Sequence, residues 1–182
     1  MNADRLRIDL FAFALGALAL LTLAFFNARN GAAVVMSGLC IVGLVAARII
    51  GFSNRALVPP AAGLVLILWM VWIAPPAGDR TVGALAHFGG GAVVGWALAE
   101  YLRTRLSGIA WAMAALAGVF ALTVVWEAGE YFGDLLLTTA LDPNRIDSAV
   151  DIFFGSVGST MGLALAALVA PPRKGDRAEH IP

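Results

Sequence analysis

The chain contains six apolar runs, and each is long enough to cross a lipid bilayer as a helix. About 20 helical residues are needed to span roughly 30 Å of hydrocarbon. The runs lie at residues 10–26, 32–50, 56–74, 81–102, 108–132 and 146–170. The segments between them are rich in glycine, proline and polar residues, which end membrane helices. Because backbone groups in lipid must bond internally, the runs predict an all-α, polytopic membrane protein with six transmembrane helices.

The composition agrees with a chain that is almost entirely membrane domain. Of the 182 residues, 60% are hydrophobic and 13% are charged, which is far from the composition of a soluble domain. We therefore expect one six-helix transmembrane domain over residues 1–170 and a short polar cytoplasmic tail over residues 171–182. The first run is taken as a span and not as a cleaved signal peptide, since no small-x-small cleavage site follows it.

Charge and cysteine content exclude several classes of function. Twelve lysines and arginines balance twelve aspartates and glutamates, so no basic surface favours nucleic acid as a partner. The chain has one cysteine, Cys40. This excludes an intramolecular disulfide and the cysteine-based zinc and iron–sulfur patterns.

The basic residues predict the orientation of the six spans. Nine of them lie on one side of a six-span arrangement and three on the other. The nine are Arg5, Arg7, Arg48, Arg55, Arg103, Arg105, Arg173, Lys174 and Arg177, and the three are Arg29, Arg80 and Arg145. By the positive-inside rule, both termini are expected in the cytoplasm.

Five ionisable side chains lie near the outer end of the last three spans. They are His87, Glu127, Glu130, Asp147 and Asp151. At about 1.5 Å per residue, His87, Glu127 and Asp151 share a depth of about 8 to 9 Å below the outer helix ends, and the other two lie above them. Such groups are rare in hydrocarbon unless they pair, face water or hold an ion. Their shared depth therefore predicts a polar site that opens outward.

The spacing of these residues places them on packed helix faces. Glu127 and Glu130 are three residues apart, and Asp147 and Asp151 are four apart, so each pair shares one face of its helix. Small residues continue two of the faces. One stripe is His87, Gly91, Gly95 and Ala99, and the other is Asp151, Gly155, Gly158 and Gly162. Such stripes let membrane helices approach closely, so the polar groups are expected to face protein and not lipid.

Four carboxylates close together repel one another unless their charge is removed or balanced. They can take up protons, pair with His87 or Arg145, or bind a cation. Mixed histidine and carboxylate ligands suit zinc, manganese or iron, and oxygen ligands alone suit magnesium or calcium. Three interpretations stay open at this point: a bound divalent cation, proton-sharing carboxylates in a water-filled cavity, and structural hydrogen bonds between helices.

Two further features lie near this site or below it. Glu100 lies thirteen residues after His87, about 20 Å deeper, on another face and beside Arg103, so we expect an ion pair at the cytoplasmic end. The connection over residues 133–145 contains three leucines at 135–137. It has two interpretations, a lid that lies on the outer interface or a plain loop.

Motifs in the second half of the chain follow a recognisable order. A His-Phe pair at 87–88 precedes a glycine-rich stretch and Glu100. Two acidic segments come next, Trp-Glu-Ala-Gly-Glu at 126–130 and Asp-Ser-Ala-Val-Asp at 147–151. This order resembles the YjdF-type family of bacterial inner-membrane proteins, and the resemblance covers about half of the chain, residues 86–168.

A second, related resemblance rests on an acidic pair, an arginine, an aspartate and two glycines. These are Glu127 and Glu130, Arg145, Asp151, Gly158 and Gly162. The set resembles the VanZ-like family, with Gly155 in place of the usual asparagine and Glu130 in place of a glutamine. Both resemblances imply a multi-pass protein of the bacterial inner (plasma) membrane, and neither brings an established mechanism.

The ligands predicted for a divalent cation are His87, Glu127 and Asp151. Glu130 and Asp147 are expected as further ligands or as catalytic proton carriers, and Arg145 as a substrate-binding residue. If the protein is an enzyme, a metal-bound water is the expected nucleophile and a spare carboxylate the general base. The substrate would be a membrane lipid or a lipid-linked envelope molecule. Two alternatives stay open, a proton- or cation-coupled transporter and an accessory subunit of a larger membrane complex with a membrane-protein partner.

Overall fold

The computed structural model describes residues 3–28, 30–73, 80–137 and 145–169. These ranges form six helices: α1 (Ala3–Asn27), α2 (Gly31–Ile49), α3 (Asn54–Ile73), α4 (Arg80–Leu102), α5 (Ala110–Leu137) and α6 (Arg145–Val169). The all-helical class and the six helices predicted from the apolar runs are confirmed, and the described ranges contain no strand.

Five of the described helices are long and apolar enough to cross a membrane. Their apolar stretches are Leu10–Asn27, Asn54–Ile73, Thr81–Leu102, Ala110–Phe132 and Ser148–Val169. The apolar part of α2, Ala33–Ile49, is shorter. Many large apolar side chains are exposed on the helix surfaces, for example Phe13 at 76% and Leu168 at 81%. In water such a surface would be unfavourable, and it suits a protein that is surrounded by lipid.

The helix α5 continues past the end that the sequence predicts. The prediction places the end of the span at residue 132 and a connection over residues 133–145. The helix instead ends at Leu137, so the three leucines at 135–137 are helical and do not form a loop. Leucine is a strong helix former and residues 133–137 contain no proline, so the helix continues through Gly133 past the edge of the apolar run. The rest of the predicted connection, residues 138–144, lies outside the described residues.

A glycine and a serine build the corner between α2 and α3. Gly51 has a φ of 93°, and the amide of Phe52 donates back into the last turn of α2 at 2.9 Å, which closes that helix in a Schellman motif. The hydroxyl of Ser53 accepts the amide of Ala56 at 3.3 Å and so caps the start of α3. The ring of Phe52 stacks on Tyr101 near the end of α4, with ring centroids 4.0 Å apart. The corner is therefore joined to α4.

The helices α1, α2 and α3 pack around one apolar core. Leu18 and Phe25 of α1 and Leu57 of α3 are among its most deeply buried residues. The hydroxyl groups of Thr22 and Ser37 form a hydrogen bond of 2.9 Å between α1 and α2. Because α3 also packs against α4, this half of the molecule supports one side of α4.

The helix α4 is the centre of the other half, where it contacts α5 and α6 as well as α3. Its largest interface is with α6, and glycines make that interface close. A Cβ on Gly162 would overlap the backbone carbonyl of Ala92, and a Cβ on Gly91 would overlap that of Gly155. The small-residue stripes predicted from the sequence are therefore the surfaces along which α4 and α6 touch.

Candidate functional site

His87, Glu127 and Asp151 lie together between α4, α5 and α6, and we call them the histidine–carboxylate cluster. Nδ1 of His87 is 3.5 Å from Oε1 of Glu127, and Nε2 of His87 is 3.5 Å from Oδ2 of Asp151. One potential ligand atom from each residue lies within 4.8 Å of the other two. The three side chains are 13%, 7% and 14% exposed, so the cluster is largely enclosed.

Glycines on α4 and α6 explain why the cluster forms. Gly91 lies one helical turn from His87. Gly155 lies one turn from Asp151, and the two glycines touch at the interface of α4 and α6. Residues one turn apart share a helix face, so this contact directs the imidazole and the aspartate towards each other. On α5, the methyl group of Thr123 lies against Gly155, which places the glutamate one turn further along α5 beside the ring.

The other predicted site residues are placed differently. Glu130 is buried on α5, and its Oε1 accepts a hydrogen bond of 2.7 Å from Nε1 of Trp126. Among the described residues it is not part of the group of ligand atoms. Asp147 and Arg145 belong to the first turn of α6, and their side chains lie outside what the structure describes. The roles predicted for Glu130, Asp147 and Arg145 therefore stay predictions.

A second charged group lies at the opposite end of α4. Oε2 of Glu100 is 2.8 Å from Nη2 of Arg103 and 3.1 Å from Nε of Arg55, and the Glu100 side chain is 2% exposed. The predicted pair with Arg103 is confirmed, whereas Arg55 on α3 is a partner that the sequence analysis missed. Nη2 of Arg55 also donates to the carbonyl oxygen of Val169 at 2.9 Å. One arginine thus ties α3 to α4 and to the end of α6.

A groove of about 230 Å³ lies between α5 and α6. Along the helix axes, it is farther from the predicted outer ends of the helices than the cluster is. Val119 and Ser159 form its buried floor, and Phe120 and Thr160 lie on its exposed rim. The hydroxyl groups of Ser159 and Thr160 donate to carbonyl oxygens one turn back in α6, at 2.6 and 3.0 Å. Because these hydroxyls are satisfied locally, the groove is apolar despite its serine and threonine residues.

The distance between His87 and Asp151 suits two ligands of one cation. Bonds of about 2.1 Å at tetrahedral angles place two ligand atoms of one ion about 3.4 Å apart. The separation of 3.5 Å between Nε2 of His87 and Oδ2 of Asp151 is close to this value, so these two atoms can bind one ion, while Glu127 lies at the other ring nitrogen. Two carboxylates and a neutral imidazole would also balance the charge of a divalent cation, which suits an enclosed site in lipid.

The fold and the cluster define a class of protein, an all-helical protein with helices of membrane-spanning length and a histidine–carboxylate group enclosed between three of them. No family model, no curated protein and no solved structure matches the chain. The resemblances to the YjdF-type and VanZ-like families therefore stay predictions from the motifs.

Proposed function

We propose that the protein crosses a bacterial inner membrane six times, with both termini in the cytoplasm, and binds one divalent cation in its histidine–carboxylate cluster. The distribution of the basic residues, nine against three, supports the orientation. The observation that carries the cation proposal is the position of the His87 ring, with a carboxylate oxygen 3.5 Å from each of its nitrogens. Within a membrane, it costs free energy to place two carboxylates from two other helices beside this imidazole, unless a positive charge balances them.

In the proposed arrangement, the cation binds Nε2 of His87 and the carboxylate of Asp151. Asp151 is more exposed than Glu127, 14% against 7%, so a cation with its water ligands reaches the cluster from the Asp151 side. Glu127 then accepts a hydrogen bond from Nδ1 and fixes the orientation of the ring, as carboxylates do behind metal-binding histidines. The mixed nitrogen and oxygen ligands favour zinc, manganese or iron over magnesium or calcium.

Metal analysis of the purified protein tests this proposal. The full chain is purified in detergent without a chelator, incubated with Zn²⁺ or Mn²⁺ and desalted, and its metal content is measured. We expect about one ion per chain, a loss of binding in His87→Ala and Asp151→Asn, and an affinity about 10- to 100-fold lower in Glu127→Gln. A wild-type protein that binds no metal, or site variants that bind as well as the wild type, would contradict the proposal.

Two matched controls make the metal measurement specific. His180→Ala removes the second of the two histidines in the chain. Glu100→Gln neutralises a buried glutamate on α4 that pairs with Arg103, at the opposite end of that helix from His87. We expect both controls to bind metal as the wild type does. If the controls lose metal as fully as the site variants, the loss reflects general damage and the assignment of ligands is wrong.

The groove between α5 and α6 supports a membrane lipid as the substrate of this site. It is apolar and begins about 8 Å deeper than Asp151, so an acyl chain can lie in it while a polar head group lies near the cluster. The cation would supply a Lewis acid for a phosphate or carbonyl oxygen of the lipid. Glu130 or Asp147 would act as general base, and Arg145 would bind an anionic group. Mass spectrometry of lipid extracts incubated with wild-type or Asp151→Asn protein measures whether any lipid is converted.

Proton-coupled transport is a second candidate function, and the position of the His87 imidazole supports it as well. An imidazole with a carboxylate at each nitrogen can accept a proton on one side and release a proton on the other. Proton flux is measured in liposomes that contain the wild-type protein or His87→Gln. Flux that depends on His87 in a protein without bound metal would favour the proton relay over the cation site.

A further inference from the structure

Four arginines meet at one end of the bundle, around the corner between α2 and α3. They are Arg48, Arg55, Arg103 and Arg105. Glu100 balances part of this charge through its contacts with Arg55 and Arg103. In the part of the chain that the structure describes, the contacts of Arg48 and Arg105 are with neutral groups. We propose that these two arginines bind the phosphate of an anionic phospholipid in the leaflet at this end.

The two arginines are held in place by backbone and aromatic groups. Nη1 of Arg48 donates to the carbonyl oxygen of Phe52 at 3.4 Å, across the Gly51 turn. Nη1 of Arg105 donates to the carbonyl oxygen of Tyr101 at 3.1 Å, and its guanidinium carbon lies 3.6 Å from the centre of the Tyr101 ring. Among the described residues, each guanidinium is therefore positioned by neutral groups, and both arginines are exposed.

The corner brings the two guanidinium groups to one surface. Phe52 stacks on one face of Tyr101 and Arg105 lies over the other, so the arginine, the tyrosine and the α2–α3 corner form one stack. A Cβ on Gly51 would lie 3.8 Å from Nη2 of Arg105. Arg48 lies three residues before Gly51 and bonds the residue after it. Arg48 and Arg105 therefore flank the same turn.

Exposed apolar side chains beside these arginines point to a lipid as the ligand. Ile49 and Ile50 follow Arg48 and are 79% and 61% exposed, and Ile109 in the turn after Arg105 is 75% exposed. A soluble anion would bind the arginines but would leave the isoleucines in water. A phospholipid suits both the arginines and the isoleucines, because its phosphate pairs with the guanidinium groups and its acyl chains cover the isoleucines.

Lipid binding to the full chain tests this inference independently of the cation site. The protein is reconstituted in bilayer discs of phosphatidylcholine with or without phosphatidylglycerol, and its unfolding temperature and retained lipid are measured. We expect phosphatidylglycerol to stabilise the wild-type protein. The double variant Arg48→Gln/Arg105→Gln should bind phosphatidylglycerol roughly 25-fold more weakly, since each arginine contributes about a fivefold factor near an anionic lipid.

A matched double variant serves as the control. Arg29→Gln/Arg80→Gln removes the same number of charges from the segment before α2 and from the first residue of α4. We expect its affinity for phosphatidylglycerol to fall clearly less than that of the double variant Arg48→Gln/Arg105→Gln. The single variants Arg48→Gln and Arg105→Gln replace the double variant if that protein does not fold. Equal binding by site and control variants, or equal protection of the protein by inorganic phosphate alone, would overturn the inference.

Discussion

Nε1 of Trp96 on α4 donates a hydrogen bond of 3.3 Å to the backbone carbonyl oxygen of Arg55 on α3. Pro59 lies four residues after Arg55 and has no N–H, so this carbonyl lacks the partner that a helix normally supplies. The tryptophan of the neighbouring helix replaces that partner. Such a replacement matters in a membrane, where little water is available to bond a free carbonyl.

Trp96→Phe is expected to lower the free energy of unfolding by about 1 kcal/mol, because it removes the donor and keeps most of the aromatic packing. Pro59→Ala restores an amide N–H to α3, so Trp96→Phe should cost clearly less in the Pro59→Ala background. Unfolding in mixed detergent micelles measures the effect of Trp96→Phe in the wild-type and in the Pro59→Ala background. If Trp96→Phe lowers the free energy of unfolding equally in both backgrounds, Trp96 does not stabilise the protein through this hydrogen bond.

Gly162→Ala is expected to destabilise the protein by roughly 1 to 3 kcal/mol, because the added methyl group overlaps the carbonyl of Ala92 and forces α4 and α6 apart. Gly90→Ala is the matched control, since a Cβ there meets nothing within 4 Å. It should be neutral or stabilising by up to about 1 kcal/mol through helix propensity. Thermal unfolding of both variants measures these changes in stability. A Gly162→Ala variant as stable as the wild type would show that the close contact between α4 and α6 is not required.

Glu100→Gln is expected to lower the free energy of unfolding by about 2 kcal/mol, because it leaves the charges of Arg55 and Arg103 without their buried acid. The 34% exposure of Arg55 keeps the cost below that of a fully buried pair. Arg105→Gln, at the same end but with neutral partners, should lower the free energy of unfolding by at most about 1 kcal/mol in the absence of anionic lipid, mainly through its contact with the Tyr101 ring. Equal effects of the two variants would argue against the ion-pair account.

Asp151→Asn distinguishes a functional cluster from a structural one. Without metal, the variant should unfold at the same temperature as the wild type or higher, because it removes one of two carboxylates that repel each other in an enclosed site. Added Zn²⁺ should raise the unfolding temperature of the wild type and leave that of Asp151→Asn nearly unchanged. A metal-free variant that is about 1 to 3 kcal/mol less stable than the wild type would instead identify Asp151 as a structural hydrogen-bond partner.

Position along each helix was predictable from the sequence. A helix converts residue number into depth at about 1.5 Å per residue, so the common level of His87, Glu127 and Asp151 follows from counting. The pair of Glu100 and Arg103 follows from their spacing of three residues. The end of α5 did not follow, because hydropathy locates the edge of an apolar run and a helix continues until a residue breaks it.

Contacts between helices were decided only by the tertiary structure. The stripe through Gly162 predicts a close neighbour, but the spacing does not say that this neighbour is α4. Glu127 and Glu130 share a face of α5, yet one lies beside His87 and the other bonds Trp126. Arg55 joins Glu100 although they are far apart in the chain. Periodicity gives the position of a side chain along and around its own helix axis, whereas its partner on another helix depends on how all six helices pack at once.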